Sequence, residues 1–162
     1  MRQGAVRAEP RGDQGDRLMD TRLGRLSELP ISQGAYKSLD PQIHPERFAG
    51  FREGRLAKPL GITQFGVNHV TLEPGAWSSL RHWHATEDEF VYVLSGAVVL
   101  VDENGEHPLV EGDFAAFPAG APNGHHLQNR SEAPARLLVV GARRPGEETV
   151  HYPDDPIGPF LK

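Results

Sequence analysis

The chain has 162 residues and a mass of 17.8 kDa, the size of one domain with tails. It has no cysteine, which excludes disulfide scaffolds, thiol nucleophiles and thiolate metal sites and suits a cytoplasmic protein. Its 17 Lys and Arg against 22 Asp and Glu give a formal charge of −5, the wrong sign for a nucleic-acid surface, and no apolar run approaches the ~20 residues that span a bilayer.

Residues 1–30 carry six Arg against five acids and few large apolar side chains, and read as a flexible or strapped tail. Residues 31–162 then form a single domain. Four prolines (Pro30, Pro41, Pro45 and Pro59) punctuate the next stretch, with one helical turn expected over residues 45–49, proline early. After Gly61 the texture becomes strand-like. Strands are expected over 62–72, 89–94, 97–101, 107–110, 114–117, 125–129, 136–140 and 149–152, separated by Gly, Pro or Asn-Gly. Asn104-Gly105 between two Val-rich runs signals a tight hairpin. With 18 Gly and 14 Pro, this spacing predicts an all-β sandwich or barrel.

Two of these strands are apolar on both faces. In 89–94, Glu89, Val91 and Val93 take one face and Phe90, Tyr92 and Leu94 the other; 97–101 repeats the pattern. A barrel interior buries only one face, so the second needs cover. The candidates are residues 31–60, through Ile31, Tyr36, Leu39, Ile43, Phe48, Phe51, Leu56 and Leu60, or a second copy of the chain; a homodimer is the expectation.

The chemistry concentrates in histidine. His82 and His84 flank Trp83, and in a strand such residues project from one face about 6.6–7 Å apart. Two imidazoles can then converge on one ion at ~2.0–2.1 Å each, with Arg81 and Trp83 turned away. A turn over 85–88 folds Glu89 back beside them. His125 and His126 are adjacent, so only one of them can share the site's face. Two imidazoles entering an apolar core cost desolvation unless a partner satisfies them, and a metal ion does so. His44, His69, His107 and His151 are isolated and read as solvated or hydrogen-bonded residues. Phe117, Asn123, Gln128, Gln64, Tyr92 and Trp77 flank the expected core or mouth.

Gly75, His82, His84, Glu89 and Gly96 together resemble the first motif of the cupins, with six residues between Gly75 and His82 where the family usually has five. Gly112, Pro118, Gly120, His125 and Asn129 resemble the second, with four residues between Gly120 and His125 where the family normally has two. The resemblance covers about 61–142. It implies a double-stranded β-helix, or jelly-roll, barrel with an irregular N-terminal extension. It also implies one metal at the barrel mouth, held by His82, His84, Glu89 and His125. His125 is preferred over His126 because the second motif places its ligand three residues before Asn129.

Three imidazoles and one carboxylate suit Fe, Mn, Ni, Co or Zn rather than Ca or Mg. The expected function is to bind or transform a small molecule at this divalent metal. As an enzyme the chain is expected to be a metal-dependent isomerase, with sugar-phosphate isomerases as the family analogue, or a dioxygenase; the alternative is a non-enzymatic ligand-binding sensor. Beyond the four ligands, His126, His69 and Glu87 are the candidates for proton transfer.

Overall fold

The computed structural model describes residues 21–34 and 44–162. Of the expected tail over residues 1–30, residues 1–20 lie outside them. Among the described residues, twelve strands follow in order: β1 (Ile31–Gln33), β2 (Phe51–Arg55), β3 (Phe65–Leu72), β4 (Trp83–His84), β5 (Glu89–Ser95), β6 (Ala97–Asp102), β7 (Gly105–Val110), β8 (Phe114–Phe117), β9 (His126–Gln128), β10 (Ala135–Ala142), β11 (Thr149–His151) and β12 (Phe160–Leu161). A single-turn helix, α1 (Pro45–Phe48), starts on proline as expected, whose missing N–H costs nothing at a helix start.

One layer of the barrel is a six-stranded sheet in the order β1-β2-β3-β10-β5-β8. The facing layer is built from β7-β6-β9 and β12-β11-β4. Isolated bridges Trp77↔Gln128 and His82↔His125 join these two halves through the segment that carries the first histidine pair. Between the bridges that segment advances five residues while its partner advances three, so residues 78–81 bulge.

The inward faces close on one core. Val70 and Leu72 of β3, Val91 and Val93 of β5, Val98 and Leu100 of β6, and Leu127 and Leu137 are all buried there. Each such side chain contributes about 1.5–3 kcal/mol relative to exposure. Glu89 shares the inward face of Val91 and Val93, so strand alternation alone carries its carboxylate into the barrel. Gly96 turns the chain from β5 to β6 at φ +82°, and a Cβ there would lie 2.9 Å from the Ala135 Cα.

Three sequence expectations change. The β6–β7 turn is centred on Glu103-Asn104, one residue earlier than the Asn-Gly signal, because Asp102 pairs with Gly105 and its carboxylate accepts the Asn104 N–H at 2.7 Å. The strand expected over 125–129 is shorter, leaving His125 just outside β9. Residues 31–33 and 51–55 do not cover the outer face but lengthen the six-stranded sheet past β3. Tyr36, Leu39 and Ile43, part of the expected cover, lie outside the described residues. Among the described ones, Phe90 and Tyr92 are half-buried, while Leu94 is 39% and Phe114 66% exposed.

Candidate metal centre

His82, His84, Glu89 and His125 come together at one end of the barrel. The Glu89 Oε2 lies 3.4 Å from the His84 Nε2, 3.4 Å from the His125 Nε2 and 3.8 Å from the His82 Nε2. Two donors each ~2.1 Å from one ion, at 90–110° to each other, are themselves roughly 3.0–3.5 Å apart. The observed separations are at or slightly above that range. His82, His84 and Glu89 form the compact set, with donors within 4.8 Å of one another, and His125 joins through Glu89.

The other ring nitrogens explain the orientation. The His82 Nδ1–H donates to the Leu80 carbonyl at 2.9 Å and the His125 Nδ1–H to the Asn123 carbonyl at 3.0 Å. The His84 Nδ1–H donates to the Glu148 Oε1 at 3.1 Å. Each imidazole therefore spends its Nδ1 proton on an acceptor behind it and turns its Nε2 lone pair to the centre. Three ring nitrogens aimed at one carboxylate need a proton or a metal cation among them. The donor chemistry thus fits a borderline divalent metal.

The electrostatics agree. Burial pushes His82 down to about 4, outweighing the pull of Glu89. Burial would also lower His84, but its hydrogen bonds to Glu89 and Glu148 win, and its pKa rises. Burial would raise the Glu89 carboxyl; contacts from His125, His84 and His82 reverse this and hold it well below the usual carboxylate range.

His125 depends on the lengthened loop before it. The Asn123 Oδ1 accepts the Glu103 N–H at 2.9 Å, its Nδ2 donates to Asp102 at 3.1 Å, and its carbonyl receives the His125 ring. Arg81 donates to the Gly124 carbonyl at 3.1 Å and pairs with Glu103 and Asp154. A Cβ on Gly124 would come within 2.7 Å of the Pro153 ring, so only glycine fits there. The imidazole of His125 lies flat on Phe117, with centroids 3.5 Å apart.

His126 points elsewhere. Its Nδ1–H donates to the Ser79 carbonyl at 3.0 Å, its Nε2 accepts from the Gln128 amide at 2.9 Å, and its ring meets Trp77 edge-on. Alternation thus separates the adjacent histidines as expected. The three proton-transfer candidates do not reach the mouth. His126 is on the opposite face, His69 sits in β3 opposite Gly54 and Leu138, and Glu87 is tied to the Arg144 N–H and the Lys162 ammonium. Of the flanking residues, Phe117 and Asn123 border the mouth, Trp77 and Gln128 surround His126, and Tyr92 sits on the outer face.

A small space of about 40 Å³ adjoins the donors, bordered by Trp83, Ala116, Phe117, Pro118, Ala121 and Asn123 besides the ligands' own rings. A wider groove of about 350 Å³ lies beyond Trp83 under residues 152–159, and none of the four converging donors lines it. Trp83 stacks on His151 with centroids 4.0 Å apart and borders both spaces, so it is not simply turned away from the donors as expected. Glu148 had no signal in the sequence, since it lies 64 residues from its partner His84.

Residues 68–141 match the family model of the Cupin domain. The sugar phosphate isomerase of a cupin superfamily from Silicibacter pomeroyi is 52% identical, covers 81% of each chain and superposes with a TM-score of 0.75. The tetracenomycin polyketide synthase protein TcmJ of Streptomyces glaucescens is 31% identical over 99 residues, 60% of this chain, and the chain spans 64% of that relative's length. The polyketide cyclase RemF of Streptomyces resistomycificus, 19% identical with a TM-score of 0.62 over 83% of this chain and 86% of its own, shares the fold. Two facing layers of strands around one core, the two motifs in order and a relative more than half identical over four-fifths of both chains lead to one statement: the chain belongs to the cupin superfamily.

Proposed function

We propose that His82, His84, Glu89 and His125 hold one divalent transition metal (Fe, Mn, Ni, Co or Zn) and that the centre acts on a small oxygen-bearing molecule entering at the mouth. The observation that carries this reading is the set of Nε2 lone pairs turned on Glu89, each imidazole fixed from behind by its own acceptor. When bound, the metal would act as a Lewis acid on a carbonyl or hydroxyl oxygen. Glu89 offsets part of its charge, Phe117 holds the His125 ring in plane, and Asn123 offers the one neutral amide among the bordering side chains. Isomerisation of a hydroxy-carbonyl compound suits such a centre. The relative from Silicibacter pomeroyi, itself called a sugar phosphate isomerase, supports that class.

A second reading, a ligand-binding sensor without turnover, is favoured by one observation. Among the described residues, the side chains bordering the mouth include no acid or base besides the ligand histidines. Metal analysis followed by incubation with sugar phosphates in deuterated water separates the two. Isomerisation through proton transfer washes deuterium into the substrate carbon. Thermal stabilisation by a ligand without exchange or turnover identifies the sensor. Protein that takes up no stoichiometric metal refutes both.

A further inference from the structure

Among the described residues, two groups of carboxylates and imidazoles are packed closely enough to hold an ion: His82, His84 and Glu89, and His84, Glu87 and Glu148. His84 belongs to both, presenting its Nε2 to the first and its Nδ1 to the second. The second group has no vacancy for a cation. The Glu148 Oε1 already accepts the His84 Nδ1–H at 3.1 Å and the Ala85 N–H at 3.1 Å. Its Oε2 accepts the Thr86 N–H at 3.0 Å and the Thr86 hydroxyl at 2.7 Å. Glu87 accepts the Arg144 N–H at 2.6 Å and the Lys162 ammonium at 2.7 Å. An ion there would have to break these bonds.

We propose that Glu148 is a positioning residue, a buried carboxylate that fixes the His84 imidazole for the metal centre from behind. This rests on the metal reading above. His82 and His125 give their Nδ1 protons to neutral carbonyls; His84 alone gives its proton to a charged group. A carboxylate is the stronger acceptor, so it fixes the Nδ1–H tautomer and makes the Nε2 more basic. Glu148 is itself held on every side. It has no exposed surface, four donors hold its two oxygens, and its main-chain carbonyl accepts the Lys162 N–H at 2.8 Å. It stands one residue before β11, whose Val150 pairs with His84. Backbone pairing places the His84 Cα, and the carboxylate next to that strand sets its ring. Glu87 shares the cluster but has no hydrogen bond to His84, which makes it the control.

The test measures Co(II) affinity by chelator competition on the full chain, with the visible Co(II) spectrum and the thermal stability of the metal-free form recorded alongside. Glu148→Gln is expected to weaken Co(II) binding by about 10–100-fold and to change the spectrum. Glu87→Gln is expected to lower metal-free stability while leaving affinity within about threefold, the behaviour of a structural residue. Unchanged affinity in Glu148→Gln, or equal losses in both variants, overturns the inference while the metal reading stands. Wild-type protein that takes up no Co(II) overturns both. If Glu148→Gln fails to fold, Glu148→Asp keeps the charge but withdraws it by one methylene. It is expected to lose at least about tenfold, and wild-type affinity in that folded variant also overturns the inference.

Discussion

His125 and His126 are both almost fully buried, at 2% and 3% exposure, yet their removal has different expected consequences. His125→Ala deletes one of the converging Nε2 donors and leaves the Asn123 carbonyl without its ring partner. Metal affinity is expected to fall by at least about 100-fold, about 2.8 kcal/mol at 1.4 kcal/mol per decade. The metal-free fold loses one hydrogen bond and the stack on Phe117, about 1–3 kcal/mol. His126→Ala removes nothing from the centre. It strands the Ser79 carbonyl and part of the Gln128 amide in a buried setting, at about 1–3 kcal/mol each, and leaves a void against Trp77. The expected loss is at least about 2–6 kcal/mol from a fold whose total stability is of order 5–15 kcal/mol. Metal affinity stays within a few-fold. Chelator competition gives the affinities, and urea unfolding of the metal-free proteins gives the stabilities. Greater metal loss in His126→Ala than in His125→Ala would mean that the lengthened loop shifts the register by one residue. Equal losses would refute the alternation argument altogether.

His82→Ala and His84→Ala should each abolish stoichiometric metal and the thermal stabilisation that added metal confers, as read by elemental analysis and melting curves; one transition metal per chain in both variants would refute the ligand set. Asp102 responds to acid. Burial would raise its carboxyl, but Asn123, the Asn104 N–H and His107 bring it down to about 2 from 3.8, so its contribution is full above 3.8 and is lost as pH falls toward 2. The acid limb of a metal-free stability profile should flatten between those values in Asp102→Asn, and an unchanged limb would refute that role. A homodimer through the outer face of the six-stranded sheet, where Leu94 and Phe114 are exposed, should sediment at twice 17.8 kDa and shift toward monomer in Phe114→Glu. A mass near 17.8 kDa for the wild type would refute it.

What the sequence made legible follows from the range of the interactions involved. Strand alternation is local, so it places Glu89 with Val91 and Val93 and parts His125 from His126 without knowledge of the partner strands. Turn chemistry is nearly local. The Asn104-Gly105 signal finds the hairpin but misses its centre by one residue, because the Asp102 side chain selects which amide it caps. Strands β1 and β2 show no apolar alternation, and only the ladders of β2 to β3 and of β1 to β2 make them strands. Residues chosen as candidate acids and bases failed for a related reason: which way His69 or Glu87 faces is decided by neighbours many residues away.

The supports of the centre are the least legible part, and they share one physical cause. A metal ligand is marked by residue type and spacing because the ion demands both. The group behind it need only accept one hydrogen bond, so any oxygen brought there by the fold will serve. For His82 that oxygen is a carbonyl two residues earlier, for His125 a carbonyl two residues earlier on the lengthened loop, and for His84 a carboxylate 64 residues later. The first two are set by local backbone shape and tolerate most side-chain changes. The third exists only because β11 returns alongside β4, and it concentrates in a single side chain what the other two spread over the main chain. A single side-chain substitution can therefore delete the acceptor of His84 outright, whereas the acceptors of His82 and His125 are main-chain atoms that substitution can only shift, and His84 is the ligand whose acceptor lies farthest away in sequence.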